Sequence, residues 1–427
     1  MTSRIEYAAD EGWALDQDMA DPLAWCRDRF ELPRDDSGRP LAYLCGNSLG
    51  LMPHAARASV AGILDDWSRR GVEGHLDAAR PWYSYHEWFR GPLARVVGAR
   101  PGEVVAMNSL TVNLHLMLVS FFRPTATRCK ILIEESAFPS DTYAVASHLE
   151  TRGLDPAEAM VIAGPRPGEA LLRTEDLETV LAERGEEIAL VLLPGVQYHT
   201  GQLLDLERIT AAAHRAGCIA GFDLAHAAGN TELRLHDWNV DFAVWCSYKY
   251  LNGGPGAVGG CFVHEHHGKS SLPRLAGWWG NDPATRFRMH LNPSFVPVDG
   301  AEGWQLSNPP ILAMAPLREA LQVFEEAGMP ALRAKSERLT GYLEFVIGRI
   351  PERAFELITP AEAGARGSQL SIRHPQSGAM IEHVRRHGIV GDFRPPDVIR
   401  LSPVPSYNTF HEVWRVGRAL AAIAGME

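Results

Sequence analysis

The chain has 427 residues, and its 41 Lys plus Arg against 52 Asp plus Glu give a formal net charge of −11. That balance excludes a protein that tracks nucleic-acid phosphates, which carries a basic surplus, and 46% hydrophobic with 22% charged residues excludes an intrinsically disordered chain. The six cysteines are scattered with no C-x-x-C pair, so reduced thiols are expected rather than a disulfide framework or zinc knuckle, and no metal ligands are assigned.

In chain order, residues 1–20 are acidic and lack the apolar run of a signal peptide. Asp21-Pro22 followed by Leu23, Trp25 and Phe30 reads as an N-cap, a first-turn proline and a short helix. Residues 41–45 read as a short strand ending in the turn Gly46-Asn-Ser-Leu-Gly50. Asn108-Ser109-Leu110-Thr111 precedes a helix marked by Leu114, Met117, Leu118 and Phe121. Hydroxyls and free N–H groups at such a start suit an anion, although an ordinary N-cap uses the same residues. The apolar stretch 114–122 is the longest in the chain and falls far short of the ~20 residues that span a bilayer. A soluble, cytoplasmic protein without membrane or nucleic-acid partners is expected.

Further along, β-rich runs occur at 130–133, 160–163, 188–193, 218–222, 242–246 and 258–263, with helical patterns such as 206–216 between several of them. Continuous apolar runs alternating with helices predict an α/β fold with a mainly parallel sheet covered on both faces. Ligands of such sheets bind at the carboxyl ends of the strands. From Pro316 the texture changes. Leu317, Leu321 and Phe324 mark one helix closed by Gly328 and Pro330, and 332–346 suggest a second. Strand-like 369–372 and 398–401 and a final helix at 410–423 complete a smaller α+β domain, giving a large domain over 56–315 and a small one over 316–427.

Asp223 ends one buried run, and Lys249 follows it by 26 residues at the end of the next. A buried carboxylate needs a cation. The protonated ring of pyridoxal phosphate is such a cation, and a lysine is its covalent anchor; a structural Asp–Lys ion pair would use the same two residues. Gly253-Gly-Pro-Gly256 beside Lys249 lets backbone pass close to a ligand, and no Gly-Lys-Ser/Thr follows it, so it is not a nucleotide phosphate loop. Phe138, after the run at 130–133, is placed to stack on a flat ring or to serve as a core aromatic in a turn.

Gly46-Asn-Ser-Leu-Gly50, Ser109-Leu-Thr-Val-Asn-Leu-His115, Phe138-Pro-Ser-Asp141, Gly221-Phe-Asp-Leu-Ala-His226, Tyr248-Lys249, Gly277-Trp278, Ser307-Asn-Pro-Pro310 and Arg400-Leu-Ser-Pro-Val-Pro-Ser-Tyr-Asn408 together resemble the kynureninase family, in order over about residues 43–415. The resemblance implies fold type I of the pyridoxal 5'-phosphate enzymes, with residues 1–55 packing on the small domain. It also implies a cytoplasmic homodimer with a shared active site and hydrolysis of kynurenine to anthranilate and alanine. Carried over, Lys249 holds the cofactor and Asp223 pairs with its ring nitrogen. Phe138 stacks on the ring, Asp141 and His226 hydrogen-bond around it, and Leu110, Thr111 and Tyr248 meet the phosphate. Trp278 and Asn308 reach the cofactor from the neighbouring subunit. Arg400 clamps the substrate carboxylate, and Ser48, His75 and Asn308 lie at the substrate. Tyr248 is also a candidate acid/base, provided that neighbouring charge lowers its pKa. His75 with Asn308 implies a preference for 3-hydroxykynurenine. Pro194 stands where some members carry serine and has no N–H to donate. A cysteine desulfurase or an aminotransferase would share Asp223 and Lys249.

Overall fold

A computed structural model of the chain describes residues 6–350 and 355–424. After a short strand β1 (Ala42–Tyr43) come seven strands of one sheet: β2 (Val104–Ala106), β3 (Lys130–Glu134), β4 (Met160–Ala163), β5 (Ile188–Pro194), β6 (Ile219–Asp223), β7 (Phe242–Cys246) and β8 (Gly259–Val263). Their order across the sheet is β2-β8-β7-β6-β5-β3-β4, and only β8 runs against the rest. β5 is apolar throughout and buried over its first six residues, the pattern of a strand with helices on both faces. The flanking helices supply those faces. In Leu206–Arg215, for example, Asp205 caps the start by accepting from the Arg208 N–H at 3.1 Å, while Leu206, Ile209 and Ala213 turn inward. Three-residue β2 is too short for periodicity to reveal it.

The smaller body carries β9 (Glu356–Leu357), β10 (Leu370–Arg373), β11 (Ile389–Val390), β12 (Asp392–Arg394) and β13 (Val398–Leu401). Four of these form an antiparallel sheet in the order β12-β13-β10-β9, and β11 pairs in parallel with β1. Leu343, Ile372, Ile399, Phe410 and Val413 share its core with Ala14, Ala42 and Leu44 from the N-terminal segment. A helix at Glu11–Met19, capped by Asp10, places Trp13 4.6 Å from the Tyr342 ring. The acidic surface of that helix hides its inward face from a composition-based reading.

Three expectations need correction here. Asp21 does not cap a helix over Trp25. The single turn is Ala24–Arg27, and Asp21 instead accepts from the Leu23 N–H at 2.9 Å and pairs with buried Lys335 at 2.7 Å. The boundary expected at 315/316 falls inside the helix Ile311–Ala327, whose Met314, Leu317 and Leu321 belong to the large core. Leu332 still lies in that core and Leu339 in the small one, so the division runs through the helix Met329–Gly348. The N-terminal segment is likewise split, because Leu23, Phe30 and Leu51 pack in the large core. No helix among the described residues is long and apolar enough to cross a membrane.

Candidate active site

A cleft opens at the carboxyl ends of β3, β5 and β6, where Glu134, Pro194 and Asp223 line it, the end of such a sheet at which ligands bind. At one end the helix Leu110–Phe121 begins. Ser109 at its N-cap makes no side-chain capping bond, so the first N–H groups keep their donors for another acceptor. The Thr111 hydroxyl lies 3.1 Å from the Ser140 hydroxyl, and both residues line the cleft.

At the centre Lys249 Nζ is 2.9 Å from His226 Nε2. Burial, and then the Lys249 charge, drive the His226 pKa well below its ordinary value, so the imidazole is neutral and Nε2 accepts from the ammonium. His226 Nδ1 then carries the proton and, buried, finds no partner. Phe138 is 43% exposed, and its ring centroid lies 5.9 Å from Lys249 Nζ and 5.3 Å from the edge-on Tyr198 ring.

Across from the lysine, carboxylates crowd one another. Buried Asp223, at the end of β6, uses Oδ1 to accept from the Ala225 N–H at 2.6 Å. Burial, and then the negative charge of Asp223, push Asp141 well above the carboxylate range, and Asp141 Oδ1 has no partner. Burial pushes Glu134 up to about 7, against one hydrogen bond from Gln197 Nε2 at 3.3 Å. Lys249 is the one lysine or arginine lining the cleft among the described residues, and a cationic ring N–H beside Asp223 and Asp141 would offset the burial and repulsion that raise Asp141. The unpartnered Asp141 and His226 atoms, the open helix start and the exposed Phe138 ring together fit pyridoxal phosphate.

Lys249, Tyr248, Leu110, Thr111, Phe138, Asp141, Asp223, His226 and Pro194 all line this cleft; the remaining predicted residues do not. Arg400 is 1% exposed, donates to the Tyr198 carbonyl at 2.7 Å, pairs with Asp392 and leaves Nε unpartnered. Buried charge takes the nearest acceptors, so a grip on a substrate carboxylate requires exchange of one of these. Ser48 sits in the turn after β1, its N–H on the Cys45 carbonyl at 3.0 Å. His75 lies in the short helix Gly74–Asp77 with its ring 5.3 Å from Trp82. Trp278 packs on Trp279 at 4.8 Å, and exposed Asn308 accepts from the Ser307 hydroxyl at 3.1 Å.

The condition attached to Tyr248 is not met in this chain: burial, followed by Cys246, raises its pKa. The phenol therefore keeps its proton and acts as a donor. The glycines at 253–256 also differ from expectation, since none lines the cleft. The close approach comes instead from Gly50, where a Cβ would lie 2.3 Å from the Lys249 carbonyl oxygen and whose N–H donates to Tyr248 O at 2.8 Å. Glu134, Ser140 and Tyr198 were missed. Glu134 follows the predicted run at 130–133 directly, so the strand-end rule that singled out Asp223 would have found it.

Architecture and cleft together define a fold type I enzyme of the pyridoxal-phosphate class. By structure the chain is similar to C-DES carrying glycine linked covalently to its PLP cofactor (TM-score 0.75, 17% identity, 89% of this chain and 96% of that one). It is equally similar to the cysteine desulfurase CsdA from Escherichia coli (TM-score 0.75, 17% identity, 95% and 98%). By sequence it is 54% identical to the kynureninase of Salinispora tropica over 98% of both chains. Identity to that of Myxococcus xanthus is 53% over 98% and 99%, and to that of Xanthomonas oryzae pv. oryzae 56% over 93% and 94%. The kynureninase C-terminal domain family matches residues 332–420. The chain belongs to the kynureninase family.

Proposed function

We propose that this cleft hydrolyses L-kynurenine and, with preference, 3-hydroxy-L-kynurenine, giving the corresponding anthranilate and L-alanine. The observation that carries the reading is Lys249 Nζ, 2.9 Å from neutral His226 and sharing the cleft with Asp223 of β6 and Asp141 of the Pro139–Thr151 helix. Pyridoxal phosphate, when bound, supplies a protonated ring that draws electron density from the bonds around the substrate α-carbon. Asp223 and Asp141 would hold its ring N–H, Phe138 its face, and the Leu110–Thr111 helix start with Ser140 its phosphate.

The chain's own residues account for the proton movements. Lys249 anchors the cofactor and, displaced by the substrate amino group, takes the α-proton. Tyr248, kept protonated by burial, donates at the substrate carbonyl oxygen as water adds to the γ-carbon. The Cβ–Cγ bond then breaks: the γ-carbon leaves as the aromatic acid, a hydroxyl proton returning to Tyr248; the electron pair left on Cβ takes the proton released by the water, and Lys249 returns its proton to Cα, giving alanine. A desulfurase would need an accessible thiolate. Cys246 and Cys261 instead lie buried in β7 and β8, with burial raising both thiols.

The active unit is a homodimer in which Trp278 and Asn308 serve the neighbouring subunit's cleft. Supporting this, neither residue lines its own cleft, and Leu275, Phe287, Met289 and Leu291 nearby in sequence are exposed apolar side chains. Six free cysteines support a reducing, cytoplasmic setting. The test is to incubate the holoenzyme with each kynurenine, and separately with L-cysteine, following aromatic amine and sulfide. A higher kcat/KM for plain kynurenine contradicts the ring preference; sulfide without aromatic amine contradicts the reaction.

A further inference from the structure

The amino ends of the strands, opposite the cleft, hold a second cluster of titratable side chains. Asp241 directly precedes β7. Because β8 runs antiparallel beside it, with Phe242 paired to Val263, the turn His264-Glu265-His266-His267 is delivered to the same place. His214, in the last turn of the Leu206–Arg215 helix, reaches it from one side. Asp241 is 3% exposed. Its Oδ2 accepts from the Ala220 N–H at 2.8 Å and meets His214 Nε2 at 2.8 Å, which fixes the carboxylate plane.

The other oxygen, Oδ1, lies 2.7 Å from His267 Nε2 and 3.4 Å from His266 Nε2, and the two imidazole nitrogens are 2.8 Å apart. Protons satisfy this triangle poorly. If both imidazoles carry a hydrogen at Nε2, two N–H groups oppose each other across 2.8 Å. If only His267 does, the His266 lone pair shares a hydrogen already given to the carboxylate. One cation meets all three lone pairs together. An ion ~2.05 Å from each atom would sit about 1 Å off their plane, so small outward shifts of the imidazoles give tetrahedral spacing.

A neighbouring group, Glu103 with His236 and His264, shows what a satisfied cluster looks like. Glu103 accepts from the Arg100 and Glu265 N–H groups at 2.8 and 2.9 Å and meets His236 Nδ1 at 2.9 Å. His264 Nδ1 accepts from the His266 N–H at 3.3 Å, and its Nε2 meets the His236 carbonyl at 3.2 Å. Both Glu103 carboxylate oxygens and both His264 ring nitrogens are thus engaged by other groups.

We propose that Asp241 Oδ1, His266 Nε2 and His267 Nε2 form a site for one divalent transition-metal ion of the zinc type, oriented by His214 through the second carboxylate oxygen. Two imidazoles and one carboxylate favour zinc, cobalt or nickel over calcium or magnesium. The His266 side chain is 43% exposed, which leaves the fourth position to water. The ion would tie the β7–β8 edge to the turn at 264–267, away from the chemistry.

The experiment uses untagged holoenzyme stripped with chelator and titrated with zinc chloride and with cobalt chloride. Calorimetry, the visible cobalt spectrum and melting temperature are recorded for wild type, His266→Ala and His236→Gln. Expected are one tight equivalent per chain, a tetrahedral cobalt spectrum and a rise in Tm for wild type and His236→Gln. In His266→Ala the affinity falls at least ~100-fold with turnover of kynurenine unchanged. No tight equivalent in wild type, or the same equivalent and spectrum in His266→Ala, overturns the site.

Discussion

The two ends of the sheet treat a buried aspartate in opposite ways. At the carboxyl ends, Asp223 shares its surroundings with two more acids, and burial, joined at Asp141 by the charge of Asp223, raises Asp141 and Glu134 above the carboxylate range. At the amino ends, burial also pushes Asp241 upward, yet the surrounding imidazoles of His214, His266 and His267 and the Ala220 N–H reverse it and hold the carboxyl below that range. One end lacks positive charge and is completed by a cationic cofactor. The other surrounds a single carboxylate with imidazoles and leaves nitrogen lone pairs over. Burial alone therefore does not say what an aspartate is for; the sign and supply of its partners do.

Removing the charge at the cleft end should have the largest effect. With Asp223 as the proposed partner of the ring cation, Asp223→Asn should cost about 3–5 kcal/mol. Cofactor affinity and turnover should fall ~10²–10⁴-fold, read by cofactor titration and anthranilate release; retention of both would break the contrast. Tyr248→Phe should lower kcat ~10²-fold or more while cofactor absorbance is retained, because the phenol is used for its proton; unchanged kcat would remove that role.

Glu134→Gln sharpens the comparison through pH. In the chain without cofactor, Glu134 holds its proton up to about pH 7 while the unfolded chain releases it near pH 4.5, so folding stability falls as pH rises between the two. Glutamine should abolish that fall, gaining up to ~3 kcal/mol at neutral pH in urea titrations, and the same decline in the variant would contradict the assignment. Asp241→Asn works in the opposite sense. The depressed carboxyl contributes stability above the ordinary carboxylate range and loses it as pH drops through the folded value. The variant should cost about 1–3 kcal/mol at neutral pH and melt with less acid sensitivity than wild type.

Much of the molecule was legible in its sequence because the signals were local. The six long runs of the sheet are continuous apolar stretches, and Asp223, Lys249 and Phe138 sit where strand-end logic and an ordered set of motifs place them. What escaped depends on contacts far apart in the chain. Glu134 matters because Asp223, Gln197 and Asp141 converge on it from separate elements. Arg400 is tied to Asp392 by the pairing of β12 with β13, and to Tyr198 by the packing of the small body on the large. The histidines at 264–267 carry no recognisable spacing, because their acidic partner, Asp241, is brought alongside only by the antiparallel turn of β8.

The central claim, that the carboxyl-end cleft cuts kynurenine at Lys249, is tested by quantifying anthranilate and alanine together from wild type and Lys249→Ala, each supplied with pyridoxal phosphate. The account predicts equal molar release of both products from wild type and a loss of ~10³-fold or more in the variant. Equal turnover in Lys249→Ala, or alanine released without anthranilate, would contradict it.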